Sequence, residues 1–119
     1  MEISAMVTSS PGQHRAVVRT GHAEQELLVA PKGDGGGSAT NGGGLLMLAL
    51  ATCYCNDLYR EAARLNIALD SVKVEALAEF EGIGLAASNV RYRASVASPA
   101  PPVAVARLLR EADAVAEGH

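Results

Sequence analysis

The feature that most constrains this chain is the stretch from Leu45 to Asn66, which contains neither glycine nor proline. Good helix formers dominate it, and Glu61 and Arg64 are spaced to meet on one helical face. We therefore predict a long central helix. Its first half is apolar nearly all round, which is typical of a helix enclosed on several sides, whereas its second half becomes polar.

Short β-type segments precede this helix. They are separated by the turn formers Pro11-Gly12 and Gly21, and they predict a small antiparallel sheet. The three predicted strands are Ile3–Val7, Arg15–Arg19 and Glu24–Ala30. The glycine-rich segment from Pro31 to Gly44 then predicts a mobile loop, because glycine loses the most backbone entropy on ordering.

A second β region follows the helix. Residues 71–81 alternate apolar and charged side chains, with Leu77 as the one exception, and a second alternation follows Gly82-Ile83-Gly84. The charged face of the first strand is mainly acidic and that of the second is basic. This pattern predicts an antiparallel hairpin with charge pairing between its strands.

The last part of the chain predicts a second helix after the prolines at 99–102. Apolar residues at helical spacing form its stripe, and they are Val105, Leu108, Leu109, Ala112 and Val115. The predicted order is three strands, a helix, two strands and a helix. The expected fold class is α+β, in a single domain over residues 1–119.

Composition limits the partners of such a domain. Aromatic residues are only 3% of the chain, so the core must be built from small aliphatic residues and would gain from burial between two subunits. The net charge of −3 argues against binding nucleic acid. The longest apolar run, Leu45 to Ala51, is far too short to span a membrane, so we expect a cytoplasmic protein.

Sites for cofactors and metals are not favoured by the motifs. The glycines from Gly33 to Gly44 lack the lysine of a phosphate-binding loop and the full dinucleotide fingerprint. Five side chains are of the types that bind zinc. The two cysteines among them should point about 200° apart on a helix, so they are not placed to bind the same ion. The five are His14, His22, Cys53, Cys55 and His119. We expect no cofactor and no metal.

The two cysteines of the central helix differ in their neighbours. Cys53 shares a face with Leu46 on one side and with Asn56, Asp57 and Arg60 on the other, which places it at the border between apolar core and polar rim. Arg60 is near enough to favour a thiolate, although Asp57 would oppose it. Cys55 lies among apolar residues and is predicted to be structural.

The segment N-G-G-G-L-L-M-L-A-L-A-T-C-Y-C-N-D-L-Y, residues 41–59, resembles the OsmC/Ohr family of osmotically inducible and organic hydroperoxide resistance proteins. The resemblance implies an intertwined homodimer that reduces hydroperoxides with a thiolate on the central helix. Cys53 matches that peroxide-attacking position. In the family a second cysteine on the C-terminal helix resolves the sulfenic acid to a disulfide, and an arginine and a glutamate assist.

This chain departs from the family pattern at three of these groups. It has no cysteine near Ala114 to Ala116, so a Cys53 sulfenic acid would need an external small thiol or dithiol. Gly43 and Gly44 stand where the family carries an acidic residue. The family arginine aligns near Gly12, which leaves Arg15 and Arg19 as candidate stabilisers of the thiolate.

Two hypotheses remain from the sequence. In the first, a cytoplasmic OsmC-like homodimer reduces or senses hydroperoxides through Cys53. In the second, a non-catalytic dimer of the same fold binds a hydrophobic small molecule. The substrate and the reductant are not determined by the residues.

Overall fold

The computed structural model describes residues 1–82 and 84–117, and the side chains of all of these up to Asp113. Its elements are β1 (Ile3–Ser10), β2 (Gln13–Thr20), β3 (Ala23–Leu27), α1 (Gly42–Arg64), β4 (Ser71–Phe80), β5 (Ala87–Ala97) and α2 (Pro102–Glu117). The predicted element order and the α+β class are confirmed. Three residues used in the sequence predictions, the turn residue Ile83, Val115 in the helical stripe and the candidate ligand His119, lie outside the described residues or side chains.

The chain divides into two compact units, one from Met1 to Gly44 and one from Leu45 onward. The first contains the antiparallel sheet β1-β2-β3 and the second contains the antiparallel pair β4-β5 with the two helices. Whether the whole chain acts as the single domain predicted from its length stays a prediction. No helix in the described part of the chain is long and apolar enough to cross a membrane.

The three-stranded sheet has two chemically different faces. Directly paired residues share a face, so the pairs Met6↔Val17 and Ala5↔Val18 define the two sides. The side of Val17 carries Arg15, Arg19 and their glutamate partners, and Val17 itself is 6% exposed. The opposite side mixes polar residues such as His14 and Gln25 with exposed apolar ones, of which the larger are Ile3 at 63%, Val7 at 64% and Leu27 at 49%.

The glycine-rich segment makes specific backbone contacts. Pro31 pairs with Ser38 in an isolated β-bridge, and the Gly37 N–H donates to the Ser9 side-chain oxygen across 3.0 Å. The predicted loop extends too far, because Gly42–Gly44 already form the first turn of α1. The mobility of the remaining loop stays a prediction.

The helix α1 starts at Gly42 because Asn41 caps it. The Asn41 side-chain oxygen accepts a hydrogen bond from the Gly44 N–H at 2.8 Å, which satisfies one of the free donors of the first turn. A Cβ at Gly44 would lie only 3.1 Å from the Thr40 methyl carbon and 3.3 Å from that Asn41 oxygen. The cap therefore offsets part of the low helix propensity of the three glycines, and Gly44 lets the capping residue approach closely.

The second unit contains the buried core. Its fully or nearly fully buried residues come from the second half of α1 and from α2, and the hydrophobic face of β4-β5 packs against them. They are Tyr54, Leu58, Ala62, Leu108 and Ala112. Leu108 and Ala112 belong to the apolar stripe predicted for α2, and both are 0% exposed. That part of the stripe prediction is confirmed.

The hairpin β4-β5 carries the predicted charge pairing. Glu75 lies directly opposite Arg93, and their side chains form an ion pair at 3.5 Å. The register shifts between Leu77 and Glu79, which is a β-bulge or a similar irregularity. Leu77, the one break in the alternation of the sequence, lies next to this shift.

Candidate thiol site

The thiols lie on opposite flanks of α1. Cys53 is exposed and Cys55 is partly buried. Each residue of an α-helix turns the side chain by about 100°, so the two sulfurs point about 200° apart with Tyr54 midway between them. The two cysteines therefore differ in exposure, in the direction that their neighbours in the sequence predicted. This geometry also keeps the thiols from meeting while the helix stays intact.

Tyr54 is the anchor of this turn. It is only 5% exposed, and its ring stacks on that of Tyr92 of β5 with 5.1 Å between the ring centroids. Its hydroxyl donates a hydrogen bond to the Asp113 carboxylate of α2. Burial, and then the bond to Asp113, raise the pKa of Tyr54 above its ordinary value, so the hydroxyl keeps its proton as the donor.

The polar rim predicted around Cys53 is only partly present. Asn56 and Arg60 are exposed, as the sequence predicted. Asp57 was predicted to lie at the rim as well, but it is 2% exposed and belongs to the buried interior. The Arg60 guanidinium donates to the Asp57 carboxylate at 2.7 Å. The prediction that Arg60 supplies a cation to Cys53 is therefore weakened, because that charge is balanced by a buried carboxylate one turn earlier.

Neither of the candidate thiolate-stabilising arginines belongs to the unit that carries the thiols. Arg15 and Arg19 are on β2, and each forms an ion pair with a glutamate of β3. The Arg15–Glu26 pair is 2.8 Å long and the Arg19–Glu24 pair is 3.3 Å long. Arg19 also lines a cavity of about 350 Å³ together with Met6 and Val17. Arg19 thus has the longer ion pair of the two arginines, and it lies next to the apolar side chains of Met6 and Val17.

The entrance of α1 offers no acidic group. Its first turn is formed by Gly42–Gly44 and so contains no aspartate or glutamate. An assisting carboxylate of the kind that the family resemblance implies would have to come from elsewhere. Among the described side chains, Asp57 is the nearest carboxylate along the helix, four residues after Cys53, and Arg60 already binds it.

The described residues form no cluster of three or more histidine, cysteine or acidic side chains that could hold a metal ion. Of the histidines weighed as ligands, His14 lies on β2 and places its Nδ1 3.3 Å from the Ser9 hydroxyl oxygen, and His22 lies in the turn before β3. Neither belongs to the unit that carries the cysteines. The chemistry that this site can perform with its own residues is that of a thiol.

An apolar surface adjoins the exposed thiol. Leu46 lies two helical turns before Cys53 on the same face and is 46% exposed, and Leu48 on the Cys55 side is 63% exposed. Within a single chain the first half of α1 is therefore not enclosed as its composition predicted.

The sequence prediction missed the Tyr54–Asp113 contact. The two residues are 59 positions apart, so no local spacing joins them. The one available signal was a tyrosine in the middle of an apolar helical face, since a buried tyrosine hydroxyl usually finds a hydrogen-bond partner.

Comparison with known proteins shows to which family the chain belongs. A family model described as OsmC-like protein matches residues 35–116. A search of curated protein sequences found no significant match. Among solved structures, the chain is similar to an OsmC-like hydroperoxide resistance protein from Jannaschia sp. CCS1, determined at 1.70 Å. The TM-score is 0.53 at 14% identity, over 96% of this chain and 82% of the other, which supports a shared fold. With α1, the β4-β5 hairpin and most of α2 inside the matched region, the chain belongs to the OsmC-like family.

Proposed function

We propose that this protein is a thiol-dependent hydroperoxide reductase that acts through Cys53 in a homodimer. The observation that carries the proposal is the exposed Cys53 on the central helix of an OsmC-like chain, beside an exposed apolar surface. The structural neighbour is itself described as a hydroperoxide resistance protein. An exposed thiol can meet peroxide, whereas a fully buried one is inert packing.

The reaction would proceed in two stages. The Cys53 thiolate attacks one oxygen of the hydroperoxide, the S–O bond forms and the O–O bond breaks, and the alkoxide takes a proton and leaves as the alcohol. Cys53 is then a sulfenic acid. A small external thiol condenses with it to a mixed disulfide and water, and a second thiol releases Cys53 and leaves as the oxidised disulfide.

An organic hydroperoxide suits this site better than hydrogen peroxide. Leu46 presents apolar area on the Cys53 face of α1, two turns before the thiol, and burying apolar area on the alkyl group of a substrate contributes about 25 cal/mol per Å². Hydrogen peroxide has no such group. We therefore expect a higher kcat/KM for alkyl hydroperoxides, and we assign the reaction to the cytoplasm, where small thiols are kept reduced.

The homodimer is proposed from apolar surface that one chain leaves exposed. In the first unit, one face of the sheet exposes Ile3, Val7 and Leu27. In the second unit, the first half of α1 exposes Leu46 and Leu48. A second copy that covers both surfaces would give the large apolar interface of an obligate dimer.

Arg19 is the better of the two candidates for stabilising the thiolate in such a dimer. Its ion pair with Glu24 is longer than that of Arg15 with Glu26, so its guanidinium is bound less tightly by its glutamate partner. A cation near Cys53 would lower the thiol pKa and raise the thiolate fraction. We expect the change Arg19→Ala to slow peroxide consumption more than Arg15→Ala does.

The test is peroxide consumption with an alkyl hydroperoxide and a dithiol, in wild-type protein and in the matched variants Cys53→Ser and Cys55→Ser. We expect consumption to be lost in Cys53→Ser and retained in Cys55→Ser. Consumption that survives Cys53→Ser but disappears in Cys55→Ser would contradict the assignment.

A second candidate is a non-catalytic dimer that binds a hydrophobic small molecule. The exposed leucines of α1 favour it as well, because they could line an apolar pocket between two copies. Wild-type protein that consumes no peroxide and purifies with a bound lipid would support this second function and contradict the first.

A further inference from the structure

Tyr54 links the turn of α1 that carries both thiols to two other elements of the second unit. Tyr54 lies at the centre of the buried face, with Cys53 about 100° to one side and Cys55 about 100° to the other. A rotation of the helix by less than half a turn would exchange their environments. Whatever fixes the rotation of this turn therefore decides which thiol faces solvent.

Tyr54 is attached to two other elements. Its ring stacks on Tyr92 of β5, and its hydroxyl donates to Asp113 of α2. A stacked ring can slide, but a hydrogen bond to a carboxylate has a defined direction and is stronger than one between neutral groups. Leu58 and Ala62, which follow at one and two turns on the same face, are apolar and contribute packing without direction.

We infer that Tyr54 is a positioning residue whose hydrogen bond to Asp113 keeps Cys55 shielded and leaves Cys53 as the reactive thiol. Since Cys53 is exposed already, its reaction does not wait for a movement of the helix. Cys55 is partly buried, so its reaction does depend on such a movement. In the proposed function the consequence is that a sulfenic acid on Cys53 is left for an external thiol and does not reach Cys55.

The experiment measures the alkylation rate of each cysteine by iodoacetamide and mass spectrometry, in folded protein without peroxide. The change Tyr54→Phe keeps the ring and removes the hydroxyl, and Asp113→Ala removes the acceptor while raising helix propensity. In both variants we expect the Cys55 rate to rise about tenfold, equivalent to about 1.4 kcal/mol of protection, with the Cys53 rate changed less than about twofold.

Two variants serve as controls. Tyr59→Phe removes the hydroxyl of a tyrosine that is 47% exposed on the same helix, and Asp113→Asn keeps a side-chain oxygen that can accept the bond. Both should retain the wild-type ratio of the two rates. An unchanged ratio in Tyr54→Phe and Asp113→Ala, or an equal rise of both rates, would overturn the inference. The inference rests on the proposed function only for its consequence, because alkylation is measured whether or not the protein reduces peroxide.

Discussion

The more apolar first half of α1 is the more exposed one, whereas the more polar second half has a buried face. From Tyr54 to Ala62 the inward face packs against α2 and the β4-β5 hairpin, and Leu58 is 0% exposed. From Leu45 to Leu48 the leucines remain 37% to 63% exposed. An apolar pattern thus indicates that a surface will be covered, but it does not indicate which molecule covers it. Cys53 lies where the two halves meet.

The largest effect is expected in the buried half. Replacing Leu58 by Ala should lower the free energy of unfolding by about 2–5 kcal/mol, because it removes apolar contacts and leaves a cavity in the core. The measurement is denaturant unfolding. Val103→Ala, at a site that is 76% exposed on α2, is the control and should change the free energy by less than about 0.5 kcal/mol. Similar losses in both variants would show that Leu58 is not a core residue.

In the exposed half, a charge should disrupt assembly. If the proposed dimer covers Leu48, the change Leu48→Asp buries an unpaired charge, and we expect it to raise the dissociation constant at least about a hundredfold, since each 1.4 kcal/mol is a factor of ten. Sedimentation equilibrium measures the change. Ala63→Asp places the same charge on an exposed position of the second half and should leave assembly unchanged. Wild-type protein that is a stable folded monomer would contradict the dimer.

Alkaline pH should weaken the anchor at Tyr54. Its pKa is raised in the folded state, so its contribution to stability is complete below the unfolded value of about 10 and falls as the pH rises above it. The unfolded chain then releases a proton that the folded chain retains, at a cost of about 1.4 kcal/mol per pH unit. Unfolding measured from pH 9 to 11 should show a smaller loss in Tyr54→Phe. A parallel loss in both proteins would contradict this assignment.

A smaller effect is expected at the start of α1. Asn41→Ala removes the acceptor for the Gly44 N–H and should cost about 1 kcal/mol of unfolding free energy, whereas Asn41→Asp, which can also cap, should cost little. Thermal unfolding of both variants checks the difference. Equal stability of the alanine and aspartate variants would mean that the cap contributes nothing.

Local patterns predicted most of the fold. The alternation in residues 71–81 and the opposite charges of the two strands were sufficient for the hairpin and its charge pairing, and the stripe containing Leu108 and Ala112 was sufficient for α2. The predicted start of α1 was wrong because three glycines argue against a helix, whereas the Asn41 cap, a contact between side chain and backbone, favours a start at Gly42.

The candidate site was less predictable than the fold. Cys53 and Cys55 could be separated by helix geometry alone, since exposure follows the face on which each lies. The burial of Asp57 and its pairing with Arg60 could not, because helical spacing places both near Cys53 without saying which one turns inward. The bond from Tyr54 to Asp113 joins distant parts of the sequence and required the packed structure.

The claim that Cys53 is the peroxide-attacking thiol is tested most directly by trapping its oxidised product. Wild-type protein is mixed with one equivalent of an alkyl hydroperoxide and a reagent that captures sulfenic acid, and the modified peptide is sequenced by mass spectrometry. We predict one adduct per chain, located on Cys53, and its loss in Cys53→Ser but not in Cys55→Ser. Adducts on Cys55, or no adduct on either cysteine while a chemical control is modified, would contradict the account.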